Sequence, residues 1–207
     1  FKHSVYASLD DLLSNQEKKD FEKLVGMNHS LAQTVKQCKA TISYPPNGLP
    51  MLLYGPTGTG KSLIAKLTYE WARNQGVISK DGQFVQVNCS EYANNPELLT
   101  ANLFGHVKGA FTGAEKDNEG LIALADNGVL FLDEVHELKA ECQEKLFLFM
   151  DQGIYHRVGD NEKWYKSNVR IVFATTENPD KVLLKTLMRR IPKIKHHYQL
   201  RLSNPHY

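Results

Sequence analysis

Gly55-Pro56-Thr57-Gly58-Thr59-Gly60-Lys61-Ser62 follows an apolar run, Met51-Leu52-Leu53-Tyr54, and precedes a helical pattern. Gly, four residues, Gly, Lys, Ser is the P-loop spacing. Glycines let the backbone turn its N–H groups inward around phosphate oxygens, and the helix that follows points its positive N-terminal end at the same anion. Lys61 is then expected to reach the β- and γ-phosphates of ATP, and Ser62 to ligate Mg²⁺. The plain alternative is a glycine-rich turn between a strand and a helix. The full pattern in the right context favours the phosphate cradle.

Outward from this stretch, the chain reads as alternating strands and helices. Leu31, Val35, Cys38 and Ile42 fall on one helical face, and Pro45-Pro46-Asn47-Gly48 ends that helix. After the P-loop a helix is predicted from Lys61 to about Asn74, closing near Gly76. Phe84 to Asn88 alternates as a strand does, and Asn95-Pro96 opens another helix, with Asn at the cap and Pro in the first turn. Gly105 to Gly120 holds four glycines and interrupts the rhythm. Strand Val129-Leu130-Phe131-Leu132 ends in Asp133-Glu134, and a helix follows from about Ala140 to Gln152. Tyr155, Arg157, Trp164 and Lys166 flank a Gly159-Asp160-Asn161 turn and predict a hairpin. A third apolar strand, Val169 to Thr175, leads through Asn178-Pro179 into a helix ending near Arg190. This order predicts an α/β fold with a parallel sheet covered on both faces.

Composition sets the bounds. The 207 residues are 42% hydrophobic, enough for one main domain. A formal charge of +2 gives no global case for a polyanion binder. No apolar run is long enough to span a membrane, and the first residue is Phe, with no signal-peptide pattern, so the chain reads as a cytoplasmic piece of something longer. Cys38, Cys89 and Cys142 lack zinc-site spacing and are expected to be buried thiols.

Asp133-Glu134 after four apolar residues fits a Walker B element, in which Asp133 holds Mg²⁺ through water and Glu134 orients the attacking water. Taken alone, the pair is more simply a strand end that caps a helix; beside a P-loop the metal reading is preferred. His136-Glu137 lacks the second His of a metalloprotease motif, and His136 is read as structural.

These residues, with Val87-Asn88-Cys89, Leu103-Phe104-Gly105-His106 and Gly109-Ala110-Phe111-Thr112-Gly113-Ala114, resemble the AAA+ domain of bacterial sigma-54-dependent activators. The hexapeptide is the most specific part. Tyr44 to Pro50, Glu91 to Pro96 and Ala174-Thr175-Thr176-Glu177 are similar to the phosphotransferase-regulated, levanase-operon-regulator branch. The resemblance runs from about Phe21 to Pro192 and divides the chain into a connector (1–20), an AAA+ ATPase core (21–192) and a basic, poorly ordered tail (193–207).

The resemblance implies an ATPase that, as a homo-hexameric ring, remodels sigma-54 RNA polymerase so that promoter DNA can open, with DNA contacted by a domain outside these residues. Gly109 to Ala114 would form a projecting loop that touches sigma-54, with Phe111 as its tip and Thr112 assisting. Without the resemblance, Phe111 is more simply a ring tucked back into a glycine-rich turn. Asn88 matches the residue that restrains the catalytic Glu, Thr176 the sensor position, Arg190 an arginine finger for a neighbouring subunit, and Val25-Gly26 the adenine contact. Each has an ordinary reading as well: Asn88 as a strand-end turn and Arg190 as a basic group favoured at a helix C-terminus.

Three features depart from the family pattern. Leu184 stands where most members have a second Arg, and Thr176 where they have Asn. After Pro192, the Leu-Pro turn and helical lid have no counterpart, so little turnover is expected from these residues alone. Two rivals stay open: another P-loop remodeller or loader with a pore loop at Gly105 to Gly120, and a nucleotide-binding scaffold without turnover. The basic residues after Pro192 read as a solvated end rather than a DNA patch.

Overall fold

A computed structural model describes Phe21 and residues 31–196. Val25, Gly26, the connector and residues 197–207 lie outside the described residues. Five strands, β1 (Met51–Tyr54), β2 (Phe84–Asn88), β3 (Val129–Asp133), β6 (Arg170–Thr175) and β7 (Lys193–Lys195), form one sheet in the order β2-β3-β6-β1-β7. Every pairing in it is parallel. The hairpin β4 (Ile154–Tyr155) and β5 (Tyr165–Lys166) forms a separate antiparallel pair.

Alternation along the strands divides the core into two layers. Leu52, Leu130, Leu132, Ile171 and Phe173 face a cluster built with α3 (Pro96–Phe104), α4 (Leu121–Leu124) and α5 (Ala140–Gln152). Met51, Leu53, Val129, Phe131, Val172 and Ala174 face the other way, toward α1 (Ala32–Ile42) and α2 (Lys61–Asn74). A sheet buried on both faces needs continuous apolar strands, which is what these segments provide. A side chain fixes the start of α3: Asn95 Oδ1 accepts from the Leu98 amide at 3.1 Å, with Pro96 in the first turn.

Two segments differ from the sequence reading. The helix expected up to Arg190 is two short ones, α6 (Pro179–Val182) and α7 (Lys185–Met188), separated by extended Leu183 and Leu184. Leu183 is buried there, and Gln143 Oε1 accepts from the Leu184 amide at 2.8 Å, so the core and a side-chain acceptor together offset the interruption. Lys193 to Lys195, expected as the start of a basic tail, pairs with β1 as an edge strand and buries Ile194. Alternating Lys-Ile-Lys is the pattern of a strand with one buried face, and it is short enough to be overlooked as charge.

Arg170 is a further buried group that periodicity did not single out. Its guanidinium donates to the carbonyls of Ile42 (3.3 Å) and Val77 (2.9 Å), tying the C-terminal end of α1 to the loop after α2. Burial pushes its pKa down, and the carbonyls satisfy its protons.

Candidate nucleotide site

The carboxyl ends of β1, β3 and β6 converge, which in an open parallel sheet is where a ligand crevice forms. The P-loop leaves β1 there, and Gly60, with φ of 86°, turns the chain into α2 in a conformation that favours glycine. A cleft of about 280 Å³ has Thr57, Gly58, Gly60, Lys61 and Ser62 along one side. Asp133, Glu134 and Thr176 form the other. A larger depression of about 480 Å³ lies at the opposite ends of the strands, near Pro50 and Arg170, far from any glycine-rich loop.

Lys61 is only 6% exposed, and its Nζ donates to the carbonyls of Gly55 (2.9 Å) and Pro56 (3.1 Å). Burial lowers its pKa, and the nearby carboxylates of Glu134 and Asp133 oppose that shift. The ammonium is thus held inside the loop it would serve, close to two acidic groups. Ser62 Oγ donates to Asp133 Oδ2 at 3.0 Å, which directs its proton toward the carboxylate and leaves its oxygen lone pairs for a cation. Oxygen donors of this kind suit Mg²⁺, which takes few protein ligands and keeps several waters.

Glu134 adopts φ 51° and ψ 50°, a left-handed conformation uncommon for a non-glycine residue. Backbone strain of this kind costs on the order of 1–3 kcal/mol and clusters at functional sites. It lets the chain leave β3 sharply, so that Asp133 and Glu134 both reach the cleft. One oxygen of Glu134, Oε2, accepts from the Thr176 amide (3.2 Å) and hydroxyl (3.0 Å). His136 Nδ1 lies 3.3 Å from the same oxygen and 3.1 Å from Thr175 Oγ1.

Asn88 was expected to restrain Glu134, but its Oδ1 accepts from the Ser90 amide at 3.1 Å and caps the turn Cys89–Tyr92. It sits in register with Asp133 across β2 and β3, one residue short of Glu134. Among the described residues, Thr176 and His136 make the side-chain contacts to Glu134 Oε2. His136 was read as structural, and its place three residues after Asp133 in a short 3₁₀ turn was the available signal.

Gly109 to Ala114 forms compact turns, with the Gly109 amide donating to Ala114 O at 2.8 Å and the Ala114 amide to Phe111 O at 3.0 Å. Phe111 is 37% exposed and packs edge-on against His106, ring centroids 4.9 Å apart. Val107 and Val158 tie this segment to the chain following the β4 strand by a 3.1 Å backbone bond. The ring is therefore half covered rather than at the end of an extended arm. Arg190 lies outside the cleft, paired with Asp151 and lying over the Phe147 ring.

The family model for the sigma-54 interaction domain matches residues 24–196. The chain belongs to the sigma-54 interaction domain family. Among relatives of this sigma-54 interaction domain, the transcriptional regulatory protein LevR of Bacillus subtilis is 50% identical over 175 residues, covering 84% of this chain and 19% of LevR. The transcriptional regulatory protein DagR of Salmonella typhimurium is 44% identical over 190 residues, covering 89% of this chain and 20% of DagR. The chain thus spans about a fifth of the length of either regulator. A crystal structure of NtrX from Brucella abortus in complex with ADP superimposes with a TM-score of 0.67 at 25% identity, covering 91% of this chain and 40% of NtrX. This fold likeness agrees with the P-loop α/β reading.

Proposed function

We propose that this domain binds ATP with Mg²⁺ in the P-loop cleft, hydrolyses it, and uses the resulting change to act on sigma-54 RNA polymerase so that promoter DNA opens. The observation that carries the reading is the meeting of Lys61, Ser62, Asp133 and Glu134 in one cleft of a sigma-54 interaction domain. Nucleotide binding gains support from NtrX, whose structure was solved with ADP.

In this reading the backbone N–H groups of Thr57 to Gly60 cradle phosphate oxygens and Lys61 moves from the Gly55 and Pro56 carbonyls to the β- and γ-phosphates. Ser62 and Asp133 would hold Mg²⁺, which would supply charge neutralisation at the transferring phosphoryl group. Glu134 orients water, held by Thr176. Val25 and Gly26 take the adenine side. Arg190 leaves Asp151 to reach the cleft of a neighbouring copy in a hexameric ring, where a guanidinium stabilises transition-state charge. Gly109 to Ala114 contacts sigma-54, with Phe111 leaving His106 to do so. DNA is contacted by another part of the full-length protein.

The test is to combine the full-length protein with an ATP transition-state analogue and sigma-54, and to follow assembly and co-elution together. Co-elution that requires the analogue supports the reading. Analogue binding without sigma-54 co-elution leaves a P-loop ATPase with a different partner.

A further inference from the structure

A P-loop offers its amides to an anion, and its buried carbonyls need donors of their own. The donors in this chain come from two directions. Lys61 serves the carbonyls of Gly55 and Pro56. The carbonyl of Thr59, a residue only 2% exposed, lies 2.8 Å from Nε2 of His196. Since a carbonyl only accepts, Nε2 of His196 is the donor.

His196 approaches the loop with its main chain as well. Its amide donates to Tyr54 O at 2.8 Å, carrying the β7 pairing one residue past the strand. Its carbonyl lies so close to Gly55 that a Cβ there would come within 1.8 Å of it. Glycine at position 55 is therefore demanded by His196 as much as by any phosphate. Thr59 is braced a second time from within the loop, its hydroxyl donating to Pro56 O at 2.9 Å. One fully buried residue just past the edge strand thus grips the loop at its base through backbone and at its crown through imidazole.

We infer that His196 is a positioning residue of the nucleotide site, its Nε2–Thr59 hydrogen bond and its backbone contacts locking the P-loop in the phosphate-cradling shape. The inference rests on the proposal that this loop holds ATP. Its particular content is independence from the ligand. When Lys61 moves onto phosphate, the Gly55 and Pro56 carbonyls lose that donor, whereas the His196 contact to Thr59 stays on the outer side of the loop. The segment after β6 thereby acts on the site from the edge of the sheet, without lining the cleft.

Two substitutions separate this role from simple core filling. His196→Leu fills the buried volume without a donor, and His196→Gln keeps an Nε2 donor. In the full-length protein, hydrogen exchange of the amides of residues 57–61, measured without ligand, should rise by roughly threefold to tenfold in His196→Leu, the worth of one net hydrogen bond, and stay near wild type in His196→Gln. Calorimetric affinity for MgATP should fall in parallel for the Leu variant alone, with the melting temperature little changed. Equal exchange in all three proteins, or equal loosening by Leu and Gln, overturns the inference. If the wild type binds no MgATP, the nucleotide proposal fails, and the exchange measurement still decides whether His196 locks the loop.

Discussion

Thr176 donates both its backbone amide, at 3.2 Å, and its hydroxyl, at 3.0 Å, to a single oxygen of Glu134. Two bonds from one residue hold that oxygen in place. Under the proposed function, the other oxygen is the one that orients the attacking water. Thr176→Val keeps the amide and removes the hydroxyl without changing the volume much. It should lower ATP turnover in the full-length protein by roughly tenfold, with the KM for ATP little changed, and Thr176→Ser should restore it. A raised KM with unchanged kcat would assign Thr176 to ligand binding instead.

Glu134→Gln retains an oxygen that can accept from Thr176, so fold and ATP affinity should persist. Loss of the carboxylate should reduce turnover by about a hundredfold or more. Steady-state hydrolysis beside calorimetric binding checks both halves; undiminished turnover removes Glu134 from the water-orienting role.

Phe111 stacks edge-on against His106 and keeps 37% of its surface exposed. Phe111→Ala removes that ring from a segment whose turns are held by backbone bonds, so the fold should be preserved. Retention of sigma-54 in the presence of transition-state analogue should be lost, while MgATP affinity stays within about twofold of wild type. Undiminished retention of sigma-54 by the variant would place the contact elsewhere.

Cys38, Cys89 and Cys142 are all buried. Burial pushes the Cys38 thiol up to about 12, against a smaller opposing hydrogen bond from Thr68. It pushes Cys142 up to about 11 and Cys89 higher still. A thiol with a raised pKa is protonated at neutral pH and reacts slowly, so each should gain reactivity only as pH rises toward its own value or as the chain unfolds. A thiol reagent at pH 8 should modify none of the three in the native protein and all three in denaturant. Rapid native modification of any one would contradict its burial.

Much of the fold was legible because its cues are local. The Met51 to Tyr54 run, the glycine spacing after it and the Asn95-Pro96 cap each predict their element without reference to distant residues. Asp133 and Glu134 stood out because an acidic pair closes an apolar run in a chain that also carries a P-loop. What failed to show was chemistry created by register across the sheet. Asn88 looked suited to hold Glu134, but the parallel pairing sets it opposite Asp133, and its side chain is taken by the Ser90 amide. Thr176, Thr175 and His136 meet around Glu134 only because β6 lies beside β3. Lys193 to Lys195 looked like charge rather than strand because one buried Ile is too little pattern to read. The partner of His196, Thr59, is 137 residues away in sequence.

The central claim is that Gly55 to Ser62 forms a nucleotide site in which Lys61 meets the phosphates, and calorimetric titration of MgATP into the full-length protein tests it most directly. Binding to the wild type should be saturable and should be lost in Lys61→Ala, with a melting temperature that shows the variant still folded. Equal affinity in the two proteins would contradict it.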